Sequence, residues 1–332
     1  MEAGEAEAPP TASSTGRRLG STGLAVSPIG LGLAALGRPA YITLGRGADL
    51  GEERSAAALR ARALAVLDAA WAGGVRYVDA ARSYGRAEEF LAGWLARRGL
   101  PPGLPTVGSK WGYAYTGGWR LDADQHEVKD LGAPTLRRQL GESRALLGGG
   151  LRLYQIHSAT LESGVLDDPE VREELARLRA SGVAVGLTVT GPDQDATIDR
   201  ALAVGGFDTV QATWNLLERS AESALERAHR AGLGVIVKEA VANGRLTGRG
   251  GEAGLLSVAR ERGQAPDAIA IAAALARPWA DVVLSGAVTV DMLDSNLSAL
   301  GVRWDGELER RLSSLREQPG RYWARRGALP WT

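Results

Sequence analysis

Short apolar runs alternate with longer amphipathic segments along most of this chain, and this alternation constrains the fold more than any other feature. The runs are apolar almost throughout, which is typical of parallel strands buried on both faces of a sheet. The predicted strands are Val26–Leu33, Val75–Ala80, Pro105–Lys110, Leu151–His157, Ala184–Val189, Thr209–Trp214, Gly234–Glu239 and Val282–Gly286. Eight strand–helix units predict an α/β fold, a (β/α)8 TIM barrel; a doubly wound open sheet, which usually has fewer strands, is the alternative.

Amphipathic helices are predicted between these strands, because apolar residues recur there at the i, i+3, i+4 spacing. Several of them end at glycine, which readily adopts the left-handed conformation that closes a helix. The predicted helices are Ser55–Ala72, Ala87–Arg98, Thr135–Leu147, Pro169–Ser181, Gln194–Val204, Ala221–Ala231, Ala265–Ala276 and Gly306–Arg316.

The two ends of the chain differ from this pattern. Residues 1–16 are acidic, small and polar, and we expect a disordered tail there; they lack the basic start and apolar stretch of a secretory signal, so we expect a cytoplasmic protein. Residues 17–332 are expected to form a single barrel domain. Its first segment, RRLGSTGLAVSPIG, is predicted to be an N-terminal β-hairpin that plugs the barrel, and its last, PGRYWARRGALPWT, an irregular C-terminal substrate loop.

Composition excludes several classes of function. Lys+Arg and Asp+Glu both number 39, which argues against a polybasic protein that binds nucleic acid or a membrane surface. The longest apolar run, Ala268–Ala276, is far shorter than the ~20 residues of a membrane-spanning helix. With no cysteine and 3 histidines, the chain is expected to hold no disulfide, no cysteine-ligated metal and no histidine-rich metal site. The oligomeric state is not predicted.

One glycine motif invites a cofactor interpretation that its context does not favour. Gly30–Ala35, GLGLAA, matches the dinucleotide fingerprint GxGxxA, which needs a helix directly after it to hold the pyrophosphate. Here a stretch rich in glycine and proline follows, so we interpret the motif as a loop.

Polar residues at the carboxyl ends of strands carry the predicted chemistry, because catalytic residues of such barrels lie there. Asp79 and Lys110 end adjacent strands, and an ion pair satisfies both buried charges. Tyr84 follows Asp79 closely, and a nearby ammonium is expected to lower the pKa of its phenol from about 10. With a neutral His157 these residues predict a proton donor for a carbonyl; the alternative is that the ion pair only closes the barrel end.

The segments LGSTGLAVSPIGLG, VDAARSYGRAE, TVGSK, LYQIH, QATWNLLE, VANGRLTG and SGAVTVDMLDSNLSAL, in this order, resemble the aldo-keto reductase superfamily from about residue 17 to 301. The resemblance implies a (β/α)8 barrel, a nicotinamide cofactor and hydride transfer to an aldehyde or ketone, or the reverse oxidation of an alcohol or aldose. It implies that Tyr84 is the general acid, that Lys110 and Asp79 tune it, and that His157 orients the carbonyl. The cofactor-binding residues that it implies are Thr188, Gln211, Gly244, Leu246, Ser285, Gly286 and Asn296.

Two departures from the pattern of this superfamily bear on the cofactor. Lys238 stands where an aromatic residue often stacks on the nicotinamide; it either pairs with Glu239 or a nearby carboxylate, or places a cation beside the cofactor or substrate. Val288 stands where a cation commonly holds the 2′-phosphate of NADP. NADP(H) is the expected cofactor, and NAD(H) stays open because of Val288.

The long loop after Lys110 is rich in aromatic residues, and loops of this length are usually functional. We expect Trp111, Tyr113 and Trp323 to line a substrate pocket, the alternative being that these rings only pack the loop down. Substrate identity is not predicted beyond a small carbonyl or alcohol. A non-catalytic, cofactor-sensing binding subunit of the same fold is the second functional hypothesis; a hydrolase lacks an evident carboxylate pair at the strand ends.

Overall fold

The computed structural model describes residues 17–100 and 103–332. In this part of the chain the strands are β1 (Ile29–Gly32), β2 (Tyr77–Asp79), β3 (Thr106–Trp111), β4 (Tyr113–Tyr115), β5 (Glu127–Lys129), β6 (Leu151–Ala159), β7 (Ala184–Val189), β8 (Thr209–Thr213), β9 (Gly234–Lys238) and β10 (Val282–Ser285). Eight of them form a closed barrel of parallel strands in the order β1-β10-β9-β8-β7-β6-β3-β2. The predicted eight-stranded barrel is therefore confirmed.

Helices pack around the barrel and bury their apolar faces against it. In the described residues they are α1 (Arg46–Leu50), α2 (Ala56–Ala72), α3 (Ala87–Arg98), α4 (Ala133–Leu147), α5 (Pro169–Ala180), α6 (Gln194–Val204), α7 (Glu222–Arg230), α8 (Ala253–Arg262), α9 (Pro266–Leu275), α10 (Val290–Leu297), α11 (Gly306–Leu312) and α12 (Pro319–Gly327). None of these helices combines the length and the apolar character that crossing a bilayer requires.

The carboxyl-terminal segment corrects one prediction. The stretch predicted to be irregular forms α12, with Pro319 in the first turn, where proline is tolerated because its missing N–H would have no helical partner. Tyr322 on this helix is buried, and its hydroxyl accepts a 3.0 Å hydrogen bond from Nδ2 of Asn215. Beyond the helix, Trp331 forms a short antiparallel bridge with Ile42. The C-terminal segment is thus packed along the mouth of the barrel.

The amino-terminal segment folds back on itself, but it does not form two strands. Arg18 and Ala25 make one isolated antiparallel bridge around a single 3₁₀ turn, Gly20–Thr22. Leu19 is fully buried in a small apolar cluster with Tyr77, Leu153, Ile236 and others at the start of the strands. A regular hairpin is absent from the described part of this segment, and the predicted tail 1–16 lies outside the described residues.

The loop after β3 contains an antiparallel ribbon that the sequence pattern did not predict. In it β4 pairs with β5, from Tyr113 opposite Lys129 to Tyr115 opposite Glu127. The ribbon stands over the carboxyl ends of the barrel strands and brings Tyr113 and Glu127 to the cavity described below.

Candidate active site

A cavity of about 580 Å³ opens at the carboxyl-terminal mouth of the barrel. This volume lies in the range of roughly 300–1,000 Å³ that small-molecule and cofactor sites occupy. Its walls come from the ends of the barrel strands, from the β4–β5 ribbon and from the segments after β1, β9 and β10. The position agrees with the place where barrels of this type hold their active sites.

Tyr84, Lys110 and His157 meet at the cavity, as the sequence predicts. The ammonium of Lys110 donates a 3.3 Å hydrogen bond to the Tyr84 hydroxyl, and that hydroxyl lies 3.5 Å from Nε2 of His157. The rings of Tyr84 and His157 meet edge to face, with centroids 5.4 Å apart. A carbonyl oxygen placed beside these groups would therefore meet a phenol and an imidazole at once.

Asp79 and Lys110 form the predicted ion pair, and both side chains are inaccessible, at 2% and 1% exposure. Asp79 also accepts hydrogen bonds from the Tyr77 hydroxyl at 3.0 Å and from Nε2 of Gln211 at 3.1 Å. A Cβ on Gly108 would meet the Tyr77 ring 3.2 Å away, so glycine at this position leaves room for the tyrosine that holds Asp79. Side chains in the barrel interior, Tyr77 and Gln211, therefore hold the carboxylate of the ion pair in place.

The pKa of Tyr84 differs from the sequence-based expectation. Burial, followed by the charge of Asp79, raises the pKa of the Tyr84 hydroxyl well above its ordinary value, whereas an adjacent ammonium alone was expected to lower it. The reason is that the charge of Asp79 opposes that of Lys110 at the phenol, so burial dominates the shift. Tyr84 consequently holds its proton at neutral pH.

His157 is neutral in this environment. Burial and the positive charges of Lys110, Arg38 and other cations nearby lower its pKa well below the ordinary value. Its Nδ1 lies 3.5 Å from the hydroxyl of Ser83, a side chain with no solvent exposure. Tyr113 packs against the other side of the ring, with centroids 4.9 Å apart. The imidazole is thus held between two aromatic rings as an uncharged hydrogen-bonding group.

Arg38, which the sequence reasoning missed, is a buried cation in the wall beside Tyr84. It pairs with Glu127 of the ribbon and donates to the Ser83 carbonyl at 3.2 Å. Its guanidinium lies over the rings of Tyr84, Tyr41 and Trp331 at 5.4, 5.1 and 5.0 Å. Such stacking stabilises both the cation and the aromatic wall.

The loop that carries Arg38 is held by a second buried arginine. Arg46 donates to the carbonyl oxygens of Ala35, Arg38 and Pro39. It also donates to the backbone oxygen of Thr332 at 2.7 Å, no Asp or Glu side chain of the described residues lies within 4.0 Å of it, and burial lowers its pKa to about 9. Carbonyl groups that face inward are thereby satisfied, and the loop keeps one conformation at the cavity wall.

Lys238 lines the cavity and donates to the hydroxyl of Thr213 at 2.7 Å. Glu239 is engaged by Arg326 of α12, whose Nε lies 2.9 and 3.1 Å from the two carboxylate oxygens. Against the effect of burial, the positive charges of Arg326 and Lys238 lower the pKa of Glu239 to about 2. The described structure therefore gives Lys238 no direct pairing with Glu239, and its cation faces the cavity.

The opposite end of the cavity is acidic and polar. Ser285 donates to Oδ1 of Asn296 at 2.7 Å, and Nδ2 of Asn296 donates to Asp267 at 2.7 Å. Val288 lines this end, as does Asp291. Gly286 also lines it, and a Cβ built there would meet no atom within 4 Å, so backbone is left open to a ligand.

The predicted cofactor residues gather along one cavity, with one exception. Thr188, whose hydroxyl accepts a 2.7 Å hydrogen bond from the Ser158 N–H, and Gln211 line its centre. The others that line it are Lys238, Gly244, Ser285, Gly286, Val288 and Asn296. Leu246 does not; it is fully buried in the hydrophobic core.

Of the three residues expected in the substrate pocket, only Tyr113 lines the cavity. Trp111 is fully buried in the core, because successive side chains of a strand point to opposite faces and Lys110 already points inward. Trp323 does not line the cavity; its ring lies 5.6 Å from the Lys238 ammonium. Trp331, which stacks on His126 at 4.4 Å, supplies the aromatic wall instead.

The cavity-wall residues that the sequence analysis missed differ in whether a local sequence pattern could have identified them. Arg38 follows the first strand, and scanning every loop at the carboxyl ends of strands would have found it. Glu127 and Arg326 reach the site only through the ribbon and α12, so no local pattern marks them. Groups of histidine, aspartate and glutamate that could hold a metal ion are absent from residues 17–100 and 103–332.

A model of the Aldo/keto reductase family matches residues 28–316. The chain belongs to this family. The family assignment confirms the resemblance of the sequence motifs and makes the protein a member of a group of oxidoreductases.

Among curated relatives, the chain is similar to the uncharacterized oxidoreductases YqkF and YrpG of Bacillus subtilis (strain 168). The match to YqkF is 26% identical over 70% of this chain and 66% of that protein. The match to YrpG is 25% identical over 91% of this chain and 96% of that protein.

Solved structures share the fold. The aldo-keto reductase AKR11C1 from Bacillus halodurans, in its holo form, superposes with a TM-score of 0.70 at 22% identity, over 91% of this chain and 96% of that one. PA4992, described as a putative aldo-keto reductase from "Pseudomona aeruginosa", superposes with a TM-score of 0.62 at 26% identity, over 86% of this chain and 96% of that one.

Proposed function

We propose that this protein reduces an aldehyde or ketone with a nicotinamide cofactor, or oxidises the corresponding alcohol, and that Tyr84 is its general acid and base. The observation that carries the proposal is the Tyr84 hydroxyl, 3.3 Å from the Lys110 ammonium and 3.5 Å from His157 at a cavity wall. Few other reactions require a neutral phenol between a buried ammonium and a neutral imidazole.

The cavity has the chemistry to hold the cofactor. Its backbone is open at Gly286, and its amide and hydroxyl groups at Thr188, Gln211 and Asn296 can bind a carboxamide and ribose hydroxyls. When bound, the reduced nicotinamide supplies the hydride for the carbonyl carbon.

The chain's own residues handle the proton. As negative charge develops on the carbonyl oxygen, His157 donates a hydrogen bond to it and the hydroxyl of Tyr84 transfers its proton. The phenolate that remains is stabilised by the Lys110 ammonium, which Asp79 holds in place. The high pKa of Tyr84 keeps this proton in place until an oxygen of similar basicity forms beside it.

Replacing Tyr84 by phenylalanine tests the assignment. We expect Tyr84→Phe to lose at least ~100-fold in kcat with a reactive aldehyde, the lower bound of general acid catalysis, while cofactor binding followed by fluorescence stays close to that of the unmodified protein. Tyr115→Phe is the matched control, because Tyr115 lies outside the cavity. Wild-type turnover by Tyr84→Phe contradicts the proposal, and no turnover of any carbonyl by the unmodified protein favours the cofactor-sensing alternative.

The adenosine end of the cavity supports NADH over NADPH, the reverse of the initial expectation. Val288 offers no charge to a 2′-phosphate, and the carboxylates of Asp267 and Asp291 line the same end and repel one. Arg249 also lines the cavity and carries a positive charge that a 2′-phosphate could use, but it is paired with Asp49. Side-by-side fluorescence titrations decide: equal or tighter NADH binding supports the proposal. A 100-fold preference for NADPH, about 2.7 kcal/mol, that Arg249→Met abolishes assigns Arg249 to the phosphate instead.

A further inference from the structure

The charged groups at the reacting end of the cavity pair off, with one left over. Lys110 is paired with Asp79, and Arg38 is paired with Glu127. Arg326 is paired with Glu239. Among the cationic side chains that line the cavity, Lys238 is the one whose ammonium has no carboxylate oxygen within 4.0 Å in residues 17–100 and 103–332, and Glu239 acts on it only from a longer distance.

The surroundings of Lys238 hold the ammonium at the cavity without neutralising it. Its direct hydrogen-bond partner is the uncharged hydroxyl of Thr213, which donates in turn to Glu239 at 3.2 Å. The ring of Trp323 lies 5.6 Å from the ammonium on one side. Since Lys238 is only partly exposed and lines the cavity, its remaining hydrogen-bonding capacity is directed at whatever occupies that space.

A cation with no carboxylate in direct contact is costly in such a place for the free protein. Burial lowers the pKa of Lys238 to about 8 against the opposing effect of the Glu239 charge, so the ammonium is still mostly protonated at pH 7. In a cavity from which a ligand expels water, the attraction between this ammonium and an anion is much stronger than in bulk water. A ligand with one negative charge balances the Lys238 ammonium, whereas a dianion would leave an excess of negative charge beside Glu239 and Glu127.

We propose that Lys238 forms an anion-binding subsite beside the carbonyl site, and that the natural substrate is a carbonyl compound, or its alcohol, that carries a carboxylate. This inference rests on the proposed function, since it assumes that the carbonyl lies at Tyr84 and His157. Tyr113 and Trp331 also line this cavity, and their rings can pack against a flat segment of the substrate. An oxo acid or an aldehyde acid with an aromatic or unsaturated spacer has this chemistry.

Binding of an unreactive carboxylate tests the subsite without any turnover. The probe is 4-methylbenzoate, its neutral counterpart is 4-methylbenzamide, and binding is followed at pH 7 by calorimetry. We expect the benzoate to bind the unmodified protein roughly 10- to 100-fold more tightly than the benzamide, the range that charge-assisted hydrogen bonds contribute, and Lys238→Met to abolish this preference. Phosphate and phenyl phosphate form a second arm, and tighter binding of either dianion than of the benzoate overturns the choice of a carboxylate.

Lys129→Met is the matched control. Lys129 also contributes positive charge at His157, but it is exposed, its ammonium donates to the Ser158 carbonyl at 2.7 Å, and it does not line the cavity. We expect Lys129→Met to keep the preference for benzoate. Equal loss in both variants would mean that the preference comes from the general field of the barrel mouth, and would overturn the assignment to Lys238.

Kinetics then separate this subsite from the catalytic proposal. The measured quantity is the ratio of kcat/KM for 4-carboxybenzaldehyde to that for 4-formylbenzamide, and we expect Lys238→Met to lower this ratio by about 10- to 100-fold. An unchanged ratio in a folded, active Lys238→Met variant overturns the subsite and leaves the reductase proposal intact. If no aldehyde is reduced, the reductase proposal fails, and the benzoate binding data still decide whether Lys238 binds carboxylates. Weakened NADH binding without loss of benzoate preference would place Lys238 on the cofactor instead.

Discussion

The buried pair of Asp79 and Lys110 makes a prediction in which stability and catalysis separate. Three variants are needed: Lys110→Met, Asp79→Asn and the double variant. Each single change leaves one charge at a site with almost no solvent exposure, whereas the double variant leaves none. Stability should therefore fall in the single variants and recover in the double one, while turnover should be lost in all three.

The expected magnitudes follow from the contacts of each partner. Removing one partner of a buried ion pair costs about 3–5 kcal/mol, because the other charge is left uncompensated. In Lys110→Met the carboxylate keeps hydrogen bonds from Tyr77 and Gln211, so we expect a cost near ~3 kcal/mol. In Asp79→Asn the ammonium keeps the Ala80 carbonyl at 3.0 Å and Tyr84, and the cost should be similar. Removing both charges is often nearly neutral, so the double variant should be more stable than either single one.

Urea unfolding, followed by the fluorescence of the 9 tryptophans, measures the free energy of unfolding of each variant. Reduction of a reactive aldehyde measures its turnover. A single change of ~3 kcal/mol is a large part of the 5–15 kcal/mol of a typical native protein, so the midpoints should differ clearly. If the two single costs add in the double variant, the charges are not coupled and the reasoning is wrong. It is equally wrong if Lys110→Met turns over like the unmodified protein, since Tyr84 would then need no ammonium beside it.

Two further predictions concern the cavity wall and its pH dependence. A Cβ at Gly37 would lie against the carbonyl oxygen of Tyr84. Gly37→Ala should therefore displace Tyr84, lower kcat at least ~10-fold and lower the midpoint of thermal unfolding. An unchanged kcat would contradict this prediction. The preference of the unmodified protein for 4-carboxybenzaldehyde over 4-formylbenzamide should be full below pH 7 and decline as pH rises through about 8, because Lys238 then loses its proton; a preference that is flat to pH 10 would contradict this. The charged groups around that ammonium are Glu239, Arg326 and Lys110.

The strands and helices of the barrel were largely predictable because local chemistry marks them. The predicted bounds of α3, α6 and β7 agree with those of the structure. A glycine directly follows the last residue of α3 and the last residue of α6. The pattern missed the β4–β5 ribbon, since its three-residue strands contain no run of apolar residues. It also missed four helices, α1, α8, α10 and α12, and in α12 the charged arginines resemble a tail.

The convergence of the candidate catalytic residues was predictable for a different reason. Parallel strands that close into a barrel bring all their carboxyl ends to one mouth, so Asp79, Lys110 and His157 had to converge once the strands were assigned. No such rule places residues of the loops that cover the mouth. Arg38 and Glu127 meet because two loops pack together, and the sequence contains no periodic signal for that contact. The error at Trp111 was avoidable, because strand alternation places it opposite Lys110.

Under the proposed function, charge balance links the protonation of Tyr84 to the choice of substrate. Since the cations beside Tyr84 are offset by carboxylates, the field at its hydroxyl is weak in the free protein and burial keeps the phenol neutral. A second uncompensated ammonium next to Tyr84 would favour the phenolate and remove the proton that reduction requires. Lys238, whose ammonium has no carboxylate in direct contact among the described residues, is instead held by the hydroxyl of Thr213. Under the proposed function, a carboxylate bound at Lys238 should add a negative charge there without placing a further cation beside Tyr84, so that Tyr84 stays protonated.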